Sequence, residues 1–284
     1  MKKHRILSLL LITFPYFLSA QINEKVLEDL SFRNIGPAGM SGRVTSIDVD
    51  PTNSDMIYAG TASGGVWRSE NAGQSWNSIW DNQPTSGIGV VKLDPNNSDI
   101  IWVGTGEGNP RNSQSSGGGL FKSIDGGKSF EFLGLEKTKH IHKIVIDPRN
   151  SDIVYIAAFG VAWGDTKERG VYKTIDGGKT WKKILYNNER TGAADLIIDP
   201  SNPNKLFCAM WEYRRWPWFF KSGGKGSGLY VTLDGGENWK KISEEDGLPK
   251  GELGRIGLAI AKSNSKVVYA LVENKEKNGL YKSI

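Results

Sequence analysis

Three carboxylates lie where aromatic rings and guanidinium groups gather. Glu107 sits in a glycine-rich stretch with Asn109, Arg111 and Asn112. Asp165 falls between Trp163 and the pair Glu168-Arg169. Glu212 opens the run Glu212-Tyr213-Arg214-Arg215-Trp216-Pro217-Trp218-Phe219-Phe220. Glycoside hydrolysis usually needs two carboxyl groups across the scissile bond, about 5 Å apart for retention and about 6.5–9.5 Å for inversion. Rings beside charged groups suit sugar or peptide recognition, because sugar CH faces stack on rings while hydroxyls take hydrogen bonds. Glu107, Asp165 and Glu212 are thus candidate acids. Arg111, Trp163, Arg214, Trp216 and Trp218 are candidate ligand contacts. The competing reading makes Trp216, Trp218 and Phe219 a satellite core beneath a long loop. Arg214 and Arg215 would then be solvated or would cap strand ends.

His140 and His142 are one residue apart, so strict alternation would put both on one side of a strand. Two ligands without a third do not make a metal site, and no metal or cofactor is expected. Arg43, Arg190 and Arg255 share with these histidines a position near the start of an apolar stretch. Cys208 is the only cysteine. It lies in the apolar run Leu206-Phe207-Cys208-Ala209-Met210 and reads as a buried, inert thiol that can form no intramolecular disulfide.

The elements that must position these groups repeat along the chain. Ser69-Glu70-Asn71-Ala72-Gly73-Gln74-Ser75-Trp76 recurs as Ser123-Ile124-Asp125-Gly126-Gly127-Lys128-Ser129-Phe130. Thr174-Ile175-Asp176-Gly177-Gly178-Lys179-Thr180-Trp181 and Thr232-Leu233-Asp234-Gly235-Gly236-Glu237-Asn238-Trp239 follow. Before each copy come a period-2 apolar stretch closed by Asp-Pro, a stretch with a fixed aromatic (Tyr58, Trp102, Tyr155, Phe207), and Gly-aliphatic-aromatic-x-Ser/Thr or a close variant. These are strand and turn signals, and the Asp-x-Gly turn joins the third strand to the fourth. Four short antiparallel strands in about 50 residues describe a propeller blade. The 35 glycines of 284 residues sit at recurring turns.

The expected fold is all-β: a β-propeller of four complete four-stranded blades and a partial fifth. The blades are expected at about 42–81, 86–134, 140–186, 192–243 and 254–284. Ser283-Ile284 opens a fifth copy of the motif, so the chain reads as a fragment of a larger propeller. In each box Asn71, Asp125, Asp176 or Asp234 should accept hydrogen bonds within its own turn. Trp76, Phe130, Trp181 and Trp239 should pack between sheets. Phe32-Arg33-Asn34-Ile35 matches the fourth-strand pattern and is expected to complete the last blade.

Ser/Thr-x-Asp-x-Gly-x-x-Trp resembles the Asp-box, or bacterial neuraminidase repeat. Phe32-Arg33-Asn34-Ile35-Gly36-Pro37 with Gly42-Arg43, and Gly104-Thr105-Gly106-Glu107-Gly108-Asn109-Pro110-Arg111-Asn112, are similar to stretches of large secreted bacterial Asp-box propellers with a sortilin-like N-terminal domain, often labelled glycosyl hydrolases. The resemblance covers about residues 31–284. It implies a module that binds a glycan or a peptide or protein ligand outside the cytoplasm. It implies, as alternatives, a sialidase- or xyloglucanase-like glycosidase, or a structural repeat in a surface or export assembly. The sialidase arginine triad and Tyr/Glu pair cannot be assembled here. Xyloglucanase-like propellers carry a catalytic Asp in a Thr-Asp-x-Gly-Gly segment of the first blade. This chain has Thr61-Ala62-Ser63-Gly64-Gly65, with Ala62 at that place.

Residues 1–20 read as a signal peptide: basic Lys2-Lys3-His4-Arg5, an apolar run from Ile6 to Leu18, then Ser19-Ala20. The run is too short and Pro-broken for a membrane span of about 20 residues. Residues 21–30 read as a linker. Removal of Lys2, Lys3 and Arg5 would lower the formal net charge of +5 by three. No Lys/Arg-dense block exists, and no nucleic-acid partner is expected.

Overall fold

A computed structural model of the chain describes residues 42–283. The signal peptide, the linker and the Phe32–Ile35 strand expected above lie outside the described residues. Five β-sheets follow one another. The first is β1 (Val44–Val49), β2 (Ile57–Thr61), β3 (Val66–Ser69) and β4 (Asn77–Ser78). The second is β5 (Ile88–Leu93), β6 (Ile101–Thr105), β7 (Leu120–Ser123) and β8 (Glu131–Phe132). The third is β9 (Ile141–Asp147), β10 (Asn150–Ala158), β11 (Gly170–Thr174) and β12 (Lys182–Leu185). The fourth contains β13 (Thr191–Ile198), β14 (Leu206–Trp216), β15 (Phe219–Ser222), β16 (Gly228–Thr232) and β17 (Lys240–Ile242). The fifth has β18 (Leu253–Ile260), β19 (Val268–Asn274) and β20 (Gly279–Lys282). All pairings are antiparallel between sequence neighbours, with β15 an addition to β14. This is the all-β propeller architecture expected from the repeats, with a three-stranded fifth sheet.

The cores lie between sheets. Ile101 and Val103 pack toward the first sheet with Tyr58, Val66 and Trp80. Trp102, pointing the other way, packs toward the third with Ile144 and Ile156. Comparable clusters join the third sheet to the fourth and the fourth to the fifth. The alternation of side chains thus supplies two buried faces, and the strands read as continuous apolar runs.

Each Asp-box closes its own turn. Thr174 Oγ1 donates to Asp176 Oδ1 at 2.7 Å and accepts from Gly178 N at 3.0 Å. Asp176 accepts from Thr180 N at 2.9 Å and Thr180 Oγ1 at 2.6 Å. Gly177 and Gly178 have φ of 71° and 99°, which excludes a β-branched residue there. The first box does the same with Asn71, whose Oδ1 accepts from Ser75 N at 2.9 Å. The box aromatics reach the preceding sheet. Trp181 meets Trp102 edge-on at 6.4 Å, Phe130 meets Trp80 at 4.7 Å, and Trp239 packs on the core between the third and fourth sheets. Trp76 is part-exposed, and no preceding sheet covers it among the described residues.

Antiparallel order puts the Asp-Pro turns and Asp-boxes on one face of the array. The connections from second to third strands, with the starts of the first strands, lie on the other. One expectation fails here. The stretch from Glu212 onward is not a loop: β14 runs to Trp216, turns through Pro217-Trp218 and returns as β15, with Trp216 opposite Phe219. Alternation continues past Met210, so the sheet grows a two-stranded arm instead of a loop. Each first strand also carries a register shift near its start, at Val44/Ser46, Ile88/Val90, Ile141/Lys143, Ala193/Asp195 and Leu253/Ile256.

Two outcomes test the box. Thr174→Val keeps the shape but leaves the buried Gly178 N–H without its acceptor, and should cost about 1–3 kcal/mol in urea unfolding. Hydrogen bonds hold the carboxyls of Asp125, Asp176 and Asp234 well below the usual aspartate range, led by Ser129, Thr174 and the backbone of Asn238 respectively. A depressed folded value means the contribution is intact above about pH 4 and is lost as pH falls further. The boxes therefore add a loss of thermal stability below about pH 4, which should be smaller in Asp176→Asn than in the unaltered protein. A transition midpoint unchanged down to pH 2 would refute this account of the box.

Candidate functional site

On the loop face, guanidinium groups organise every carboxylate singled out in the sequence except Glu212, which a lysine holds. Glu107 follows β6, where Gly106 takes φ 90°. Its side chain is fully buried. Both oxygens are engaged by Arg43 of the first sheet: Nε to Oε1 at 2.8 Å and Nη2 to Oε2 at 2.7 Å. The pairing raises the pKa of Arg43, the hydrogen bond to Glu107 being the main cause. Gln114 Nε2 donates to the Glu107 carbonyl at 2.6 Å and folds the loop back over it.

His140 and His142 do not form a pair. The register shift at the start of β9 leaves His142 as the extra residue and breaks the alternation. His140 is buried beside Gly106, and desolvation, then Arg169, lowers its pKa to about 4. His142 lies on Gly108, where a Cβ would come within 2.0 Å of Nδ1. Burial, then Arg255, lowers its pKa to about 3. Arg255 Nη2 lies 3.2 Å from His142 Nε2. A guanidinium can only donate, so His142 accepts through Nε2 and is neutral with its proton on Nδ1. Arg255 Nη1 donates to Asn109 Oδ1 at 3.2 Å. The second, third and fifth sheets therefore meet at one arginine. Among the described residues no three His, Cys, Asp or Glu side chains gather as metal ligands.

The loop between β10 and β11 is wrapped around Arg169, which is fully buried. Its Nη1 donates to Phe159 O at 2.9 Å and its Nη2 to Gly164 O at 3.0 Å and to Val161 O. Its guanidinium stacks 4.8 Å from the Tyr213 ring. Tyr213 stacks on Trp211 at 4.8 Å and on Phe159 at 4.4 Å, and Arg255 covers Trp211 at 5.5 Å. This loop presents Trp163, part-exposed, and Asp165. Asp165 Oδ2 accepts from Arg190 Nε and Oδ1 from Arg214 Nη1, each at 3.0 Å.

The β14–β15 arm carries the exposed rings. Trp218 is 83% exposed and Phe219 57%. With Trp216 they line an open apolar cleft of about 470 Å³. Arg214 lies 5.5 Å over the Trp216 ring, which links the arm to Asp165. Arg215 Nε donates to Asn112 Oδ1 at 2.8 Å. Arg111, Asn112 and Arg215 line a second open cleft of about 440 Å³. Glu212, at the base of the arm, accepts from Lys221 Nζ at 3.4 Å and from Gly226 N at 3.0 Å.

Arg214, Trp216, Trp218 and Asp165 thus share one neighbourhood beside the loop that carries Trp163, whereas Arg215, paired with Phe220, places Arg111 on the other face of the arm. Glu107 is withdrawn beneath the second-sheet loop, and Glu212 is tucked against Gly224. The satellite core exists but has other members: Phe159, Ala162, Ala194, Trp211 and Tyr213, with Phe220 packed on it. The alternation Trp211-x-Tyr213 was its sequence signal. For Arg169 the sequence carries no mark that separates it from a solvated arginine. Cys208 is buried 3.7 Å from the Met210 sulfur, and burial raises its thiol pKa.

The Arg43–Glu107 pair has a direct test. Arg43→Met leaves a buried carboxylate without a counter-charge and should cost about 3 kcal/mol, the low end for such pairs because Arg43 is partly solvated. Chemical denaturation measures this. Unchanged stability would show that water replaces the guanidinium.

Comparison with known proteins agrees with the fold. The chain is similar to a xyloglucanase of Paenibacillus sp., 24% identical over 278 residues, covering 86% of this chain and 25% of that protein. It is 29% identical over 188 residues to a xyloglucanase of Hypocrea jecorina, covering 61% and 21%. The chain thus spans about a quarter of the length of these relatives. Among solved structures, an ancestral GH74 enzyme superposes with a TM-score of 0.60 at 23% identity, over 81% of this chain and 27% of that one. The GH74 enzyme of Niastella koreensis gives 0.60 at 21% identity, over 80% and 33%. The family model described as sortilin, neurotensin receptor 3, matches residues 118–278, more than half of the sequence, and the chain belongs to this Sortilin-Vps10 family of propellers.

Proposed function

We propose that the loop face of this propeller binds a polysaccharide of the xyloglucan type. Trp216, Trp218 and Trp163 are stacking surfaces, and Arg111 and Arg214 are polar contacts. The observation that carries this reading is the contrast between rings and carboxylates. Trp218 and Phe219 project into solvent. Both oxygens of Glu107, of Asp165 and of Glu212 are already engaged by internal donors. A general acid must reach the glycosidic oxygen, and a nucleophile the anomeric carbon. Carboxylates held in this way are built to position loops. Rings held open are built to stack. The xyloglucanase relatives support a glucan as the ligand class, and the signal-peptide pattern of residues 1–20 supports a site of action outside the cytoplasm.

The second reading is glycoside hydrolysis, favoured by the same relatives. Asp165 is its best residue here, because it is the candidate carboxylate that adjoins the aromatic cleft and is part-exposed. Ala62, buried, stands where the resemblance to xyloglucanases would require a catalytic aspartate.

The two readings separate in one experiment with xyloglucan oligosaccharides. For binding, Trp218→Ala should weaken affinity by about 1–3 kcal/mol in calorimetry, with an unchanged melting temperature because the ring is exposed. For hydrolysis, new reducing ends should appear with the unaltered protein and vanish in Asp165→Asn while binding persists. Full affinity in Trp218→Ala would remove the arm from the site. Absence of any glucan binding would overturn the proposal.

A further inference from the structure

Arg169 stands immediately before β11, and its side chain reaches back into the third-sheet loop. Gly160, at φ 78°, leaves room for it: a Cβ there would come within 2.4 Å of Arg169 Cγ. The guanidinium closes on the carbonyls of Phe159, Val161 and Gly164, so the whole turn from 159 to 164 converges on one buried side chain. The Tyr213 ring of β14 packs against the same guanidinium. Nothing in the proposed glucan site uses Arg169 directly, since it is shut off from solvent.

That turn in its place holds the base of the arm. Tyr213 Oη donates to Gly160 O at 2.9 Å. Arg214 Nη1 donates to Asp165 Oδ1 at 3.0 Å, one residue past the turn. The Arg215 N–H donates to Ala162 O at 2.9 Å. Three consecutive residues of β14 are thus fixed to the loop that Arg169 gathers. Beyond them the strand continues to Trp216 and the exposed Trp218. A two-stranded ribbon has little stability of its own in water, so the direction of this arm follows from what holds its base.

We propose that Arg169 is a positioning residue of the glucan site. It holds the turn, the turn holds residues 213–215, and these set the direction in which Trp216 and Trp218 are presented. The ligand in this inference rests on the glucan-binding reading, whereas the positioning rests on internal contacts alone. Lysine is no substitute at this place. A single ammonium lacks the planar fork that meets several carbonyls while lying flat on a ring.

Arg169→Lys keeps the charge and loses the fork. Without ligand, amide hydrogen exchange in this variant should quicken about tenfold over residues 160–166 and 213–220, and stay unchanged in β5 and β9. Calorimetry with xyloglucan oligosaccharides should show affinity about fivefold lower. In a Trp218→Ala background the same substitution should cost only about twofold, because its effect passes through the presentation of that ring. A residue that merely stabilises the fold would weaken binding equally in both backgrounds. If Arg169→Lys does not fold, Tyr213→Phe decides in its place. It removes only the hydroxyl donated to Gly160 O, and its changes should run in the same direction, with affinity about threefold lower. Unchanged exchange in the arm overturns the proposal, because the arm is then held elsewhere. So does quickened exchange with affinity intact, and so does an equal loss with and without Trp218. Failure of the unaltered chain to bind any glucan is a separate result. It removes the glucan reading, and exchange in the arm then decides alone whether Arg169 sets its direction.

Discussion

In β6 every residue from Ile101 to Thr105 is buried, on both sides of the strand. Alternation there separates two dry faces, where an ordinary surface sheet would have one wet face. Such a sheet is insoluble alone and must be sandwiched, and its neighbours inherit the same requirement. Burying a Leu, Ile or Phe fully is worth about 1.5–3 kcal/mol, so each joint outweighs the polar contacts around it. The Asp-box follows from this constraint. A tight turn must bring the fourth strand back against the third while placing a large ring over the preceding sheet. Hydrogen bonds from the Ser or Thr and the Asp satisfy the turn backbone, and two left-handed residues let it close.

The same constraint leaves the opposite face free. Connections from second to third strands carry no part of the sheet-to-sheet core, so they can lengthen and diverge. What holds them is arginine. Arg43 fixes the second-sheet loop through Glu107, Arg169 the third-sheet loop through backbone carbonyls, and Arg255 joins Asn109 to His142. Guanidinium suits this role because it is planar, weakly hydrated and able to satisfy several carbonyls at once while stacking on rings. Arg169 is the extreme case, buried with no carboxylate partner among the described residues. Its charge is met by three carbonyl dipoles and the Tyr213 ring. Replacing it would release the loop that presents Trp163 and Asp165.

Much of the fold was legible in the sequence because its signals are local. Thr174 to Trp181 specifies a turn by residue types at fixed offsets, and Val90 to Pro95 specifies a strand and its end. The site was legible in composition but not in arrangement. Trp216, Trp218 and Arg214 were identifiable as unusual neighbours, yet their reading as a loop was wrong, because the period-2 pattern of β14 runs unbroken through Glu212. Glu107 looked like a loop acid, and only the contact with Arg43, 64 residues earlier, shows it to be a buried strut. The separation of His140 from His142 depends on a register shift, which alternation alone does not announce. For Glu107 and for the arm, the deciding contacts came from other sheets.

Membership of a sortilin-type family and similarity to xyloglucanases point toward different uses of one scaffold. The scaffold itself does not choose, since a propeller face hosts whatever its loops present. The choice rests on where charge is spent. On this face Arg43 meets Glu107, Arg190 and Arg214 share Asp165, and Arg169, Arg215 and Arg255 have neutral partners, for Arg255 in Asn109 and His142. The burial of Arg255 lowers its own pKa and its charge helps keep His142 neutral. Here the cations hold the acids in place, and the rings of the β14–β15 arm remain the groups still open to a ligand.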